Sequence, residues 1–394
     1  MRVLSVTAQK PCSTGSGVYL TEVVRSLAKM GVSQAVVAGV TREDRVDMPE
    51  GVTVYPVYFS SEKLPYPVVG MSDEMPYTST RYRDMTEEMA GQFKAAFLEV
   101  LDEAIEKENP DIILCHHLYY LTALIRAHYP AKKVYGFCHN TDLRQMESIE
   151  RNFIRQEIPK LDRIFALQEA QKEKIKKIYP VSEKQMTVIG TGYNSEVFKK
   201  TGIKLSRKDG KIRMIFAGKI TQKKGVKSLL RALNLLDYEK EKIQLILAGG
   251  AGNLVEYEEI KELADGCRYP VVFAGCVTQS RLAELYNDCD IFVLPSMYEG
   301  LPLTVIESLA CGDRVVMTKL EGIAEWLADM VPDADIRYVL PPGMKGTDEP
   351  LEEELPAFES RLAEALREAI EEKDTKECDV SRISWQKIAR EVIR

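Results

Sequence analysis

No apolar run in this chain approaches the roughly 18–20 residues that cross a bilayer. The opening stretch, Met1-Arg-Val-Leu-Ser-Val-Thr-Ala8, ends at Gln9-Lys10 and reads as a first strand, not a signal peptide. No C-x-x-C spacing occurs. The eight cysteines are scattered, several of them in apolar contexts (Cys115, Cys138, Cys276), which fits reduced packing residues in a cytoplasmic protein. Four histidines, two of them adjacent, give no zinc-site spacing. A basic excess is missing as well. Lysine and arginine number 53 against 60 acidic residues, a net charge of −7, so no nucleic-acid partner is indicated. The first two hundred residues are balanced and the excess negative charge lies beyond them, which speaks against docking on anionic lipid. There is no low-complexity segment.

What is present is a globular composition, 45% apolar and 29% charged over 394 residues, with length for two or three domains. Short β-branched runs alternate with helical patterns from end to end. Predicted strands are Val3–Thr7, Ala35–Ala38, Asp111–Cys115, Lys133–Cys138 and Arg163–Leu167. A second series comprises Arg213–Ala217, Gln244–Ala248, Val271–Ala274, Asp290–Leu294 and Arg314–Thr318. Such alternation implies parallel sheets built from βαβ units. The charged, apolar-poor stretch Lys199–Lys211 separates the two series as a linker. Residues 60–85 read as a long irregular connection, which in a compact domain is more often functional or disordered than filler. Amphipathic helices are expected at Val18–Met30, Met85–Lys107 and Glu354–Glu372, with a short one from Trp385 to Arg394.

The run Ile291-Phe-Val-Leu-Pro-Ser296 is followed by Glu299-Gly-Leu-Pro-Leu-Thr-Val-Ile-Glu307. The first part reads as a buried parallel strand, Gly300 and Pro302 punctuate a turn, and a helix begins at Leu303. Glu299 then lies in a strand-to-helix loop and Glu307 on the first turns of the helix. Ligands of open α/β sheets bind outside the carboxyl ends of strands. Two carboxylates there can accept hydrogen bonds from polyol hydroxyls, and loop amides at a helix start can donate to ligand oxygens.

The pattern Pro295-Ser296-x-x-Glu299-Gly300-x-Pro302-Leu303-x-x-Ile306-Glu307-x-x-Ala310-x-Gly312 resembles the donor-site signature of retaining glycosyltransferases with the GT-B fold, glycosyltransferase family 4. The resemblance covers nearly the whole chain and is strongest over residues 213–325. It implies an α/β protein of two doubly wound Rossmann-like domains facing across a cleft. The acceptor-side domain would span 1–200 and the nucleotide-sugar domain 201–380, with a C-terminal helix, 381–394, packing back on the first. It further implies a nucleoside diphosphate sugar as donor, a UDP-sugar first among them. Glu307 would hold the ribose hydroxyls. Glu299, with the backbone of Gly300, Leu301, Leu303 and Thr304, would hold the sugar.

The first strand of the second series ends at Gly218-Lys219-Ile220, with Lys224-Gly225 soon after. Family members carry Gly-Arg and then Lys-Gly, two cations that clamp the diphosphate. Lys219 keeps the charge and loses the guanidinium fork. Gly15-Ser-Gly17 does not complete a dinucleotide fingerprint, because Leu20 stands at the third glycine position. It reads as a backbone cradle for donor phosphates, or as a tight turn that needs glycine dihedrals. His139 stands where the family has a histidine beside the reacting centre, here followed by Asn140 in place of glycine. His116 and His117 end another strand, lining the cleft or packing. Thr191-Gly-Tyr-Asn194 departs from the family's Asn-Gly-x-Asp and reads as an interdomain loop. Two D-x-D triplets, Asp288–Asp290 and Asp333–Asp335, are the only metal-binding patterns, and lysine clamping makes a metal unnecessary.

The resemblance implies a metal-independent, retaining hexosyl transfer to an acceptor hydroxyl, by front-face attack in which the leaving phosphate takes the proton. A nucleotide-sugar 2-epimerase of the same fold and a non-catalytic nucleotide-sugar sensor are the alternatives. Tyr77, Thr80 and Arg81 in one loop, with His117, Asn140, Thr141 and Arg144, suggest a small anionic acceptor, since hydroxyls plus arginine forks suit carboxylate or phosphate. The same arginines could instead form internal salt bridges. Oligomeric state stays open.

Overall fold

The computed structural model describes all residues except 12, 73–74, 145–150, 203, 205–208, 347–348 and 373–377, and the side chain of residue 144. The chain divides into two compact units, Met1–Gly192 with Trp385–Arg394, and Tyr193–Ser384. The Thr191–Asn194 segment carries the chain from one to the other.

In the first unit the strands are β1 (Arg2–Thr7), β2 (Ser33–Val40), β3 (Thr53–Tyr58), β4 (Val69–Gly70), β5 (Thr80–Arg81), β6 (Ile112–His116), β7 (Lys133–Phe137), β8 (Arg163–Ala166) and β9 (Met186–Val188). Seven form one sheet in the order β3-β2-β1-β6-β7-β8-β9, parallel throughout. The central strands are apolar on both faces, and β6 is buried along its whole length, as helices on both sides of a parallel sheet require. β3 and β9 are not evident as strands in the sequence. β3 contains Pro56 and only alternates in burial, and β9 is three residues long.

Most of the described part of the stretch 60–85 lies outside regular secondary structure, as expected. It holds the short parallel pair of β4 and β5 and a one-turn 3-10 helix, Tyr82–Asp84. Leu64, Tyr66, Val68, Val69, Met71 and Tyr82 sink from it into the core. Burying those apolar side chains is what orders a loop of this length. The C-terminal helix, Trp385–Val392, packs in the first unit. It buries Trp385, Ile388, Ala389 and Val392, with the Trp385 ring edge-on to Tyr19 at 4.9 Å and Glu391 paired with Arg163.

The second unit has β10 (Ile212–Ala217), β11 (Ile243–Ala248), β12 (Val271–Gly275), β13 (Ile291–Leu294), β14 (Arg314–Thr318) and β15 (Ile336–Val339). Their order is β12-β11-β10-β13-β14-β15, again parallel. The described linker residues are tied to this unit. Thr201 donates its amide to Asn287 at 2.8 Å, and Lys204 pairs with buried Asp313 at 2.5 Å. Cys115 and Cys138 are buried, but Cys276 is exposed. It follows Gly275 at the end of the edge strand β12, so the apolar context around it in sequence does not translate into burial.

Each sheet reverses its direction of winding once, between β1 and β6 in the first unit and between β10 and β13 in the second. Those reversals leave a crevice at the carboxyl ends of the two strands, because the connecting helices leave on opposite faces.

Candidate active site

In the second unit the residues beyond β10 and β13 meet. After β10 the backbone turns at Gly218, φ 155°, and its amide donates to Ala248 at 2.9 Å. Packing is close enough that a Cβ on neighbouring Gly249 would lie 1.8 Å from the Gly218 carbonyl oxygen. Lys219 follows directly. The next turn, Thr221–Gly225, is closed by the Gly225 amide on the Gln222 carbonyl at 2.7 Å. Gly225 has φ 73°, and a side chain there would strike the Pro295 carbonyl at 2.0 Å. Glycine is therefore required on two counts, handedness and contact. The Met297 amide donates to the Lys223 carbonyl at 2.9 Å, joining this turn to the loop that carries Glu299.

Lys224 Nζ thereby comes 2.6 Å from Glu299 Oε1, with side chains 28% and 13% exposed. The helix Leu303–Ala310 starts after Pro302. Gly300 and Leu301 lead into it, and the amides of Leu303 and Thr304 fall in its first turn, where donors lack intrahelical partners. Glu307 is buried on its second turn at 6% exposure. The hydroxyls of Ser296 and Tyr286 are also buried, with no hydrogen-bond partner among the described residues. Burial raises the Tyr286 phenol well above its ordinary range, and Glu307 adds to this.

Three of the four D-x-D carboxylates are engaged otherwise. Asp290 accepts the Arg213 backbone amide at 2.9 Å, Asp288 lies 3.5 Å from the Arg213 guanidinium, and Asp335 pairs with Arg337 at 2.6 Å.

In the first unit a second group gathers beyond β1 and β6. Gly15 and Gly17 lie in the first turn of the helix Gly15–Lys29, capped by the Thr14 hydroxyl, which accepts from the Gly17 amide at 3.1 Å. Neither glycine is among the positive-φ positions, so backbone handedness does not explain them. A Cβ on Gly15 would meet open space. Ser16 between them lies 3.1 Å from His117 Nε2 and donates to Gln9 Oε1 at 3.5 Å. His117 is held left-handed, φ 77°, by the Thr122 hydroxyl on its carbonyl at 2.5 Å.

His116 Nδ1 is 3.0 Å from His139 Nε2, the two rings stacked at 5.2 Å, and His117 stands edge-on to His139 at 4.9 Å. Burial pushes the His139 imidazole down to about 3. It holds His116 and His117 well below the ordinary histidine range too, with neighbouring histidines adding to the effect. All three are neutral at pH 7. Gln9 Nε2, His116 Nε2, His117 Nδ1 and the Tyr77 hydroxyl are buried without a hydrogen-bond partner among the described residues.

Asp142, fully buried, fixes the His139 loop. Its carboxylate accepts the Leu118 amide at 2.7 Å and the His139 amide at 3.1 Å. Burial raises its carboxyl to about 6 despite those bonds. Asn140 takes φ 74°, which explains the glycine usual at this position, and Thr141 starts the short helix Thr141–Arg144. Gln9, Ser16 and Asp142 were not singled out by the sequence. Ser16 between two glycines was the one available hint.

Of the two arginines expected in an anion clamp, only Arg81 is described with its side chain. Arg81 pairs with Asp84 at 2.5 Å on an exposed turn, and Thr80 donates its hydroxyl to Pro67 at 2.8 Å. Lys10, 5.0 Å from the Tyr77 ring centroid, is neutralised by Asp44 at 2.7 Å. The side chain of Arg144 lies outside the described residues.

Two protein-family models match in succession, glycosyltransferase family 4 over residues 13–197 and glycosyl transferases group 1 over residues 198–377. The chain belongs to glycosyltransferase family 4. This family-4 chain is 29% identical over 171 residues to an uncharacterized glycosyltransferase of Methanocaldococcus jannaschii, a match covering 41% of the chain and 43% of that protein. It is 24% identical over 253 residues to an alpha-maltose-1-phosphate synthase of Mycobacterium tuberculosis, covering 58% and 61%. The matches thus span less than two thirds of either relative. A D-inositol 3-phosphate glycosyltransferase of Catenulispora acidiphila is 24% identical over 80% of the chain and 76% of its own length.

Among solved structures, a sucrose-phosphate synthase from Thermosynechococcus elongatus superposes with a TM-score of 0.70 at 16% identity, covering 100% of this chain and 97% of that one. Anabaena HepE, solved with UDP and glucose, gives 0.64 at 15% identity, covering 100% and 98%. At such identities the likeness is one of fold. Among the described residues, no helix of this family-4 chain is long and apolar enough to cross a membrane.

Proposed function

We propose that this chain is a retaining glycosyltransferase that moves a sugar from a nucleoside diphosphate sugar, a UDP-sugar first among them, to an acceptor hydroxyl. The observation that supports this most is the meeting of Lys224 and Glu299 at the β10–β13 reversal, with Glu307 buried on the helix that follows. A departing diphosphate needs positive charge fixed in advance, and Lys219 and Lys224 supply it without a metal. A diphosphate on Lys224 would exchange the Lys224–Glu299 contact for phosphate, and Glu299 would accept sugar hydroxyls. Amides at Gly300, Leu301, Leu303 and Thr304 then donate to ligand oxygens, and Glu307 accepts from the ribose. UDP and glucose bind to the HepE protein of like fold, and the same ligand classes are assigned here. Retention follows from front-face attack, the leaving phosphate taking the acceptor's proton.

For the acceptor, a neutral polyol is the class proposed here, alongside the anion that the sequence suggests. The carboxyl end of the first sheet offers Gln9, Tyr77, His117 and neutral His139, while Lys10 and Arg81 are paired with Asp44 and Asp84. Uncharged donors and acceptors suit hydroxyls. Incubating the protein with UDP-sugars and a panel of neutral and anionic glycosyl acceptors tests both parts. Nucleoside diphosphate release that depends on a neutral acceptor, with the anomeric configuration kept, supports the proposal. Inverted product, or an epimer formed with no acceptor present, overturns it.

A further inference from the structure

Lys224 can meet a diphosphate only if the Thr221–Gly225 turn is held, and the turn is gripped from two sides. From the β13 side comes the backbone bond of Met297 to Lys223 already described. From the β11 side comes a side chain: the Gln222 amide donates to Glu256 Oε1 at 2.7 Å. Glu256 stands on the first turn of the helix Leu254–Asp265. That turn is itself fixed, because Asn253 Oδ1 accepts the Val255 and Glu256 amides at 2.8 and 3.3 Å. One turn on, Glu259 pairs with Lys227 at 2.6 Å, tying the same helix to the one that leaves the lysine turn. Nothing in the local sequence marks Glu256 off from Glu258, Glu259 or Glu262.

We infer that Glu256 is a positioning residue for the donor site, acting through the Gln222 amide to hold Lys224 where it meets Glu299 and the diphosphate. It touches neither donor nor acceptor. The inference rests on the donor-site reading above. An acceptor oxygen at this place, more than a charge, is what the turn needs, so glutamine should substitute and alanine should not.

The test uses the full chain with UDP as probe. Glu256→Ala should weaken UDP binding about tenfold, the usual effect of losing one hydrogen bond to a charged group. Thermal midpoint should stay close to that of the parent, and Glu256→Gln should bind within about twofold of it. In the unliganded chain, Glu256→Ala should speed hydrogen exchange at the Gln222 amide, a readout independent of any donor. The inference fails if the parent binds UDP and Glu256→Ala binds equally well, if Gln222 exchange is unchanged, or if Glu256→Gln is as weak as alanine. A parent chain that binds no nucleoside diphosphate, with Gln222 exchange still accelerated, would sink the donor-site reading while leaving the tether standing.

Discussion

Lys224 and Glu299, 75 positions apart in the chain, lie 2.6 Å apart in space. In the free chain each neutralises the other, which keeps a cation and a carboxylate partly buried at the same spot without an uncompensated charge. A donor would exchange this pair for two new contacts, phosphate with lysine and sugar hydroxyl with glutamate. The pair is thus a resting state of the proposed binding site, and it competes with the ligand for Lys224.

Glu299→Gln should separate the two roles. Removing the competing charge frees Lys224, so UDP affinity should hold or rise up to about fivefold, the worth of a partly exposed ion pair. Turnover of the UDP-sugar should fall by about tenfold or more, because a charge-assisted bond to the sugar weakens. Titration calorimetry and initial rates check the two halves, and a loss of UDP affinity would contradict the pairing argument. Lys219→Arg, by contrast, should keep turnover, since charge is retained at the strand end.

Acid stability should depend on the histidine cluster. Unfolded histidine takes a proton near pH 6.5, whereas His116, His117 and His139 resist it in the fold. Stability should therefore fall as pH drops below about 6.5 toward the depressed folded values, by about 1.4 kcal/mol per pH unit for each proton refused. Asp142, with its folded value raised to about 6, works the other way and offsets part of the loss. His116→Gln should lose less stability between pH 7 and pH 5 than the parent. Urea midpoints at the two pH values measure this, and equal or steeper loss would contradict it.

Acceptor recognition should not need Arg81. Arg81→Ala is expected to leave the acceptor's KM within about twofold, because the guanidinium is engaged at an exposed turn where ion pairs are worth little. Tyr77→Phe and Gln9→Ala should each raise that KM several-fold while sparing donor binding, through loss of a neutral hydrogen bond worth about 1 kcal/mol. Steady-state kinetics with the true acceptor distinguish the two patterns, and a large KM effect confined to Arg81→Ala would restore the anionic acceptor.

Turnover should survive chelation. With Lys219 and Lys224 neutralising the diphosphate, EDTA is expected to leave the rate unchanged. Complete loss in EDTA, restored by magnesium or manganese, would show that the lysines do not suffice.

Much of this was legible in the sequence where local pattern decides. β-branched runs located all ten predicted strands, since buried parallel strands are continuous apolar segments. β3, β9 and β15 escaped because Pro56, brevity and half-exposed residues blur that pattern. At the candidate site the glutamate spacing and the Gly218 and Gly225 positions were readable, because turns and helix starts are local. Contacts fixed only by the fold were not. The Glu299 partner, the Asp142 carboxylate beneath His139 and the Glu256 tether each join residues whose own neighbourhoods look ordinary. The Arg81 pair was hidden for the same reason, because its partner Asp84 was as visible as the arginine but its geometry was not.

The central claim is that the second unit holds a nucleoside diphosphate through Lys224 and Glu307. Titration calorimetry of UDP against the parent chain, Lys224→Ala and Glu307→Ala tests it most directly. The parent should bind, and each variant should bind roughly ten- to a hundredfold more weakly, the loss of about 1.5–3 kcal/mol expected for a charge-assisted hydrogen bond, with thermal unfolding little changed. Equal UDP affinity in all three proteins would contradict the account.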